Sequence, residues 1–269
     1  MKVLFFGDVY GKAGRRTVQQ ALPQLREEFN PDFVLANAEN LADGKGLTEK
    51  TLSQLFNSGV DAVTGGNHLW DRTESLEYLH SQKRIVKPLN YSEEAPGNPY
   101  LVLSKGDLHL GIICLCGQLL MPPCDSPFAA LDRFIKYSLS IDNEKQNNIP
   151  LPYPIILDFH AETTSEKRAM GWFADGKISA VLGTHTHIQT ADEEILPLGT
   201  AYITDVGMTG SHNSVIGVKK EIIIEKFRTS VPNRFESSDE GLQVNAVFLV
   251  LDSETGFAEK ITRIKRNID

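Results

Sequence analysis

The chain has 269 residues, 41% of them hydrophobic, enough for one large α/β domain with a substantial core. A formal charge of −8 and a pI of about 5.4 exclude a general nucleic-acid-coating role, because phosphate backbones attract basic surfaces. They leave open a nucleotide or an RNA end as substrate, where bound metals supply positive charge locally. No apolar stretch approaches the ~20 residues that span a bilayer, so no membrane partner is expected. Cys114, Cys116 and Cys124 fit no disulfide framework. Cys114 and Cys116 would share one face of a strand, either as buried reduced thiols or as a C-x-C metal pair. Met1-Lys2 leads straight into an apolar run and Gly7-Asp8 without the pattern of a secretory leader, so a reducing, cytoplasmic setting is the expectation.

The run Val3–Phe6 predicts a buried strand ending in Gly7-Asp8. Gly11 and Gly14 predict a turn. The spacing of Val18, Leu22, Leu25 and Phe29 then predicts a helix from Arg15 to Phe29, with a kink or a later start at Pro23. Asp32–Ala38 is a second strand, ending at Glu39-Asn40. Thr48 starts a short helix containing Leu52, Leu55 and Phe56, and Gly59 closes it. Val60–Thr64 is a third strand, ending at Gly65-Gly66-Asn67-His68. Asp71-x-x-Glu74 has the form of a capping box for a helix through about His80. Three strand–loop–helix units predict an open, largely parallel sheet, whose sites gather beyond the carboxyl ends of its strands.

Tyr100–Ser104 and Leu108–Leu115 read as a strand pair joined by Lys105-Gly106-Asp107. Residues 118–154 read as an insertion with a helix from Phe128 to Leu139 and a polar, exposed stretch from Asn143 to Asn148. It is either a lid over the active face or an ordinary surface excursion. Ile155–Phe159 is an apolar strand ending at His160, and Thr163-x-x-Glu166 has the form of a cap for a helix to Ala174. Ala180–Leu182 is a short strand running into Gly183-Thr184-His185-Thr186-His187. Ala201–Thr204 precedes Asp205–Gly210, where Gly207, Gly210 and the later Gly217 suit either a loop folded close to the site or turn chemistry alone. Glu221–Glu225, Val244–Leu251 and Lys260–Ile264 read as closing antiparallel strands of a single domain, 1–269.

The chemistry-bearing residues sit at these strand ends. On a strand His185 and His187 would point the same way; just past its end both can reach one site. Their pattern makes metal ligands of them, and it lends the same role to His160. The two glycines before Asn67-His68 let backbone approach a ligand closely. Asp8 is a helix cap or a metal carboxylate, and Asn67 a cap or an oxygen donor. Glu39-Asn40 offers a carboxylate long enough to bridge two ions, plus an amide oxygen. Taken together, Asp8, Glu39, Asn40, Asn67, His160, His185 and His187 point to two divalent ions and a hydrolase acting on phosphate esters. In such a site the ions hold phosphate oxygens and lower the pKa of a bridging water, whose hydroxide attacks phosphorus, and His68 gives the leaving oxygen its proton. An acid beside two cations calls for a carboxylate partner, for which Asp71 is a candidate. Oxygen donors such as Asp8, Glu39 and Asn40 suit manganese or iron(II), with magnesium an alternative and zinc less favoured. Thr184, Thr186, Thr209, His212 and Asn213 are candidate contacts for substrate phosphate or base.

Gly66-Asn67-His68 and Gly183-Thr184-His185-Thr186-His187 resemble the G-N-H and G-H-x-H signatures of calcineurin-like metallophosphoesterases. The usual D-x-H and G-D-x-x-D motifs are replaced by Asp8-Val9-Tyr10 and Asn37-Ala38-Glu39-Asn40. Those departures resemble the YmdB-like branch of 2′,3′-cyclic-nucleotide phosphodiesterases. That resemblance runs through Gly7–Gly11, Gly65–Asp71, Asp158–Glu162 and Thr204–Gly210, and covers nearly the whole chain. It implies a four-layer α-β-β-α sandwich of two mixed sheets. It implies one metal on Asp8, Glu39, Asn40 and His187 and a second on Glu39, Asn67, His160 and His185, with His68 as the acid. It also implies a small phosphodiester substrate such as 2′,3′-cAMP, no stable nucleic-acid partner, and a homo-oligomer. A phosphomonoesterase or protein phosphatase with the same metals, and a non-catalytic metal-stabilised regulator of RNA or protein partners, are the alternatives.

Overall fold

The computed structural model describes residues 1–140 and 154–268. In chain order the elements are β1 (Lys2–Phe6), β2 (Asp8–Val9), α1 (Gly11–Phe29), β3 (Phe33–Asn37), α2 (Glu49–Asn57), β4 (Ala62–Thr64), α3 (Leu76–Ser81) and β5 (Ile85–Val86). There follow β6 (Tyr100–Lys105), β7 (Leu108–Cys116), α4 (Pro127–Ser140), β8 (Ile155–His160), α5 (Thr164–Ala174), β9 (Ala180–Thr184), β10 (Glu194–Ile195) and β11 (Ala201–Ile203). The chain closes with β12 (Met208–Ser211), α6 (Lys220–Thr229), β13 (Leu242–Leu251) and β14 (Ala258–Asn267).

Two mixed sheets result. The first runs β2-β12-β13-β1-β3-β4-β5, with β14 also on β13; the second runs β10-β11-β9-β8-β7-β6. Strands β1, β3, β4 and β5 are parallel, as are β7, β8, β9 and β11. The alternation of side chains along β1 explains the layers. Val3 and Phe5 lie between the sheets with Leu110, Ile156 and Leu182. Leu4 and Phe6 point the opposite way, to Val18, Leu22 and Leu25 of α1. On the outer face of the second sheet, Leu157, Phe159 and Val181 pack with Leu131 of α4 and Met170 of α5. The architecture is α-β-β-α. Both parallel sets end on the same side of the molecule, which gathers the polar residues after β1, β3, β4, β8 and β9.

Several local expectations change. Helix α1 begins at Gly11, not Arg15, and runs through Pro23. Pro23 and Gln19, whose carbonyl loses its donor, both face solvent, so water serves that carbonyl. Gly14 lies in the first turn because a Cβ there would come within 2.6 Å of the Thr209 carbonyl. Glu221–Glu225 belongs to a helix, α6, whose Ile223 alone is buried: three isoleucines between charged flanks bury one helical face instead of alternating. Met208–Ser211, expected as loop, is a strand paired with β2 and β13. Thr48 caps α2 reciprocally with Thr51. The other two capping boxes do not form. Thr163 caps nothing, and Glu166 instead accepts from the Gln118 and Leu119 amides at 2.9 and 3.2 Å. Residues 73–75 form one 3-10 turn with no side-chain cap, which frees Asp71. Within 118–154, α4 contributes Ala130 and Leu131 to the outer core. The polar stretch from Asn143 to Asn148 lies outside the described residues. Cys114 and Cys116 are buried free thiols.

Candidate active site

Asp8 sits in β2 just past the end of β1, pinned to β12 by the register Asp8↔Met208, so it is not a helix cap. Glu39 and Asn40 follow β3, Asn67 and His68 follow β4, His160 ends β8, and His185 and His187 follow β9. Seven donors from five chain segments therefore meet at the ends of two sheets.

They form two adjoining groups. In one, His160 Nε2 lies 3.1 Å from Glu39 Oε1, 3.1 Å from Asn67 Oδ1 and 3.1 Å from His185 Nδ1. Ligand atoms of Glu39, His160 and His185 are all within 4.8 Å of one another. In the other, His187 Nε2 lies 3.7 Å from Asp8 Oδ1 and 3.3 Å from Asn40 Oδ1. The His185 amide, 3.2 Å from Asp8 Oδ2, joins the two. Gly66 floors the first group: a Cβ there would come within 2.2 Å of Glu39 Oε2 and 2.6 Å of the His160 ring.

The donor set fits divalent cations. Asp8 Oδ1 is fully buried and has no hydrogen-bond partner among the described residues, and a buried carboxylate oxygen left bare is costly unless a cation faces it. Burial pushes the Asp8 carboxyl up, against the pull of His187 and His160. Burial also opposes charge on Glu39, yet His160 beside it brings Glu39 down to about 2. Reciprocally, burial works against the His160 imidazolium, but Glu39 lifts it to about 9. That proton occupies the place of a cation. Burial and the neighbouring His160 charge lower His185 to about 3, leaving a neutral ring able to ligate. Both His185 and His187 hold positive φ, 96° and 67°, a strained backbone of the kind found where function over-determines it.

Residues to which the sequence reading gave no supporting role hold this geometry. Thr184 Oγ1 stands 2.8 Å from His160 Nδ1 and donates to Asp158 at 2.6 Å, which directs Nε2 into the site. Asp158 also accepts from Thr64 and Asn37, at 2.5 and 2.9 Å; burial raises it to about 6 despite these bonds and His160. Glu162 Oε2 lies 3.1 Å from His185 Nε2 and leaves Nδ1 to the site. The buried pair Lys167–Asp205, at 2.6 Å, braces the loop between the two histidines, because Asp205 also accepts from the Thr186 amide and hydroxyl. A signal was legible for two of them: Asp158 is a charged residue inside an apolar strand and Lys167 one on a buried helix face.

Thr184 and Thr209 are wholly buried, and Thr209 is bonded to the Asn245 main chain at 2.8 Å, so neither presents a hydroxyl to substrate. His212 Nε2 donates to the Met208 carbonyl at 2.9 Å, and Asn213 binds Glu240. At the open side, His68 Nδ1 lies 2.8 Å from Asp71 Oδ2, with 26% and 37% of the side chains exposed. Its amide donates to Glu39 Oε2 at 2.9 Å, which fixes the imidazole at the rim of the donor cluster.

A model of the YmdB-like protein family matches residues 4–264. The chain belongs to this family. It is 44% identical over its full length to the 2′,3′-cyclic-nucleotide 2′-phosphodiesterase of Bacillus subtilis strain 168, covering 98% of that protein. Among solved structures, a protein of Thermus thermophilus is 39% identical with a TM-score of 0.88, over 99% of both chains. A phosphatase of Mycoplasma pneumoniae is 37% identical with a TM-score of 0.90, over 99% of this chain and 93% of that one. These two solved structures share the fold of this chain over nearly its whole length.

Proposed function

We propose that this YmdB-like protein is a two-metal phosphodiesterase that opens 2′,3′-cyclic nucleotides to monophosphates. The observation that carries the reading is the buried, unpartnered Asp8 Oδ1 within a ring of seven donors, with an exposed His68–Asp71 pair at its edge. The full-length similarity to the Bacillus phosphodiesterase supports the substrate class. One ion would take Asp8, Glu39, Asn40 and His187, and the other Glu39, Asn67, His160 and His185; manganese or iron suits these donors. When bound, such ions polarise the phosphate and make a water nucleophilic at neutral pH.

The chain's own residues do the rest. Asp71 accepts from Nδ1 of His68, so in the imidazolium that acts as the acid the transferable proton is the one on Nε2. His68 gives that proton to the ribose oxygen as its bond to phosphorus breaks, and water supplies the hydroxyl that replaces it. Thr184 with Asp158, and Glu162, keep the ligand histidines in one tautomer.

The test is turnover of 2′,3′-cAMP by purified protein with manganese, beside Asn67→Ala and His68→Ala. Loss of activity in both variants, with loss of metal only in Asn67→Ala, is the expected result. Equal activity on a phosphomonoester, or no turnover of the cyclic diester, would favour the monoesterase or the non-catalytic reading respectively.

A further inference from the structure

A pocket of about 380 Å³ opens beside the ligand cluster, within the size range of small-molecule sites. Three of its walls touch the site directly. Asp71 holds His68 at 2.8 Å. The Tyr10 ring meets the His187 ring edge-on at 5.7 Å between centroids. The Gly44 carbonyl accepts from Asn40 Nδ2 at 3.0 Å. The pocket therefore adjoins the ligand cluster through three of its walls.

Its chemistry is that of a nucleoside cradle. Lys45 and Arg72 are balanced by Asp43 and Asp71, so the walls carry no net charge to draw a second phosphate. The remaining wall is Phe235, 49% exposed and outside the hydrophobic clusters of the described residues. Its position is not that of a loose tip. Lys219 donates to the Glu236 carbonyl at 2.9 Å, Ser238 donates to Gly217 at 2.9 Å, and the Ser237 side chain bonds the Tyr10 hydroxyl. The backbone just after an exposed aromatic is thus fastened to the active-site face.

The reaction gives the direction. The proton from His68 goes to the leaving ribose oxygen, so the ribose and its base must extend from phosphate past His68 and Asp71. That is the side on which this pocket lies. We infer that the pocket between Tyr10, Asp43, Gly44 and Asp71 receives the nucleoside of the substrate, and that Phe235 stacks on its base. This rests on the cyclic-nucleotide reading above.

The experiment compares KM and kcat for 2′,3′-cAMP with those for a 1-O-methylribose 2′,3′-cyclic phosphate, which lacks a base. Base–aromatic stacking predicts that Phe235→Ala raises KM for the nucleotide by on the order of tenfold relative to the base-free ester, with kcat little changed. Phe235→Trp restores the preference, and Phe227→Ala, exposed on α6, leaves it as in the unaltered protein. If the unaltered protein turns over 2′,3′-cAMP and Phe235→Ala keeps the same preference, the pocket assignment is wrong. If the unaltered protein does not turn it over, the functional reading has failed instead. Titration of adenosine 3′-monophosphate into both proteins then judges the pocket alone: equal affinity overturns it, and a tenfold loss in Phe235→Ala upholds it.

Discussion

Replacing Asp71 by Asn tests the acid at the rim. Asp71→Asn keeps the shape and a hydrogen-bonding oxygen but removes the charge 2.8 Å from His68 Nδ1. A hydrogen bond to a charged group contributes about 1.5–3 kcal/mol net, and the 26% and 37% exposure of this pair puts it at or below the low end. About 1.4 kcal/mol corresponds to a tenfold fall in rate. That fall should depend on the leaving group. A ribose alkoxide needs a proton as it departs; a p-nitrophenolate does not. Asp71→Asn should therefore lose about tenfold in kcat on 2′,3′-cAMP and less than about threefold on bis(p-nitrophenyl) phosphate, and His68→Ala should widen the same contrast to about a hundredfold or more. Steady-state kinetics on both esters at saturating manganese measures it. Equal losses on the two esters would show that His68 and Asp71 support the fold or the metals and donate no proton.

Four further outcomes follow from the geometry. Manganese must displace the His160 proton, so with His160 held up to about 9, affinity should rise about tenfold per pH unit from pH 7 to 8 with about one proton released per protein, read by calorimetry in two buffers. In metal-free protein the sign is reversed. His160 is raised above its ordinary 6.5, so its contribution to stability is complete below pH 6.5 and disappears as pH rises through about 9, visible in thermal melts. Gly66→Ala drives a methyl group to 2.2 Å from Glu39 Oε2 and should abolish metal retention, by elemental analysis, while the far-ultraviolet circular dichroism stays close to the unaltered protein's. Lys167→Met leaves Asp205 buried without its cation. Breaking such a pair costs about 3–5 kcal/mol, and the bonds from Thr186 and Gly207 keep it near 3, a Tm lower by roughly 6–12 °C. A melt within about a degree of the unaltered protein would deny Asp205 its bracing role.

The parallel strands were legible because they are buried on both faces and read as continuous apolar runs that stop abruptly at polar pairs. Val3–Phe6 and Ala180–Leu182 are of this kind, and their ends carried the ligand types. What lies behind the ligands was less legible, because its partners are far apart in sequence. Asp158 bonds Asn37 across 121 residues and Lys167 bonds Asp205 across 38. Such pairs exist only once two sheets have packed. Helix signals failed where tertiary contacts outweigh local ones: Glu166 could cap α5 but serves the Gln118 amide, and the isoleucines of α6 sit in a helix despite their β-branching. The freed carboxylate of Asp71 is the instructive case. A capping-box pattern concealed a partner for His68 only three residues away.

The two places where the chain departs from the usual metallophosphoesterase motifs make sense together. Asp8 and Glu39 are the carboxylates in the ligand ring, and Asn40 and Asn67 bring oxygen without charge. Two divalent ions on two carboxylates keep two positive charges, which a diester monoanion and one hydroxide balance; a monoester dianion overshoots. Neutral donors thus favour a diester by electrostatics alone. The missing motif-one histidine has a second effect. Tyr10 in its place does not ligate; it packs edge-on against His187, shares a hydrogen bond with Ser237 and faces the 380 Å³ pocket. A ligand position has become a wall, and it is a wall of the pocket we assign to the nucleoside.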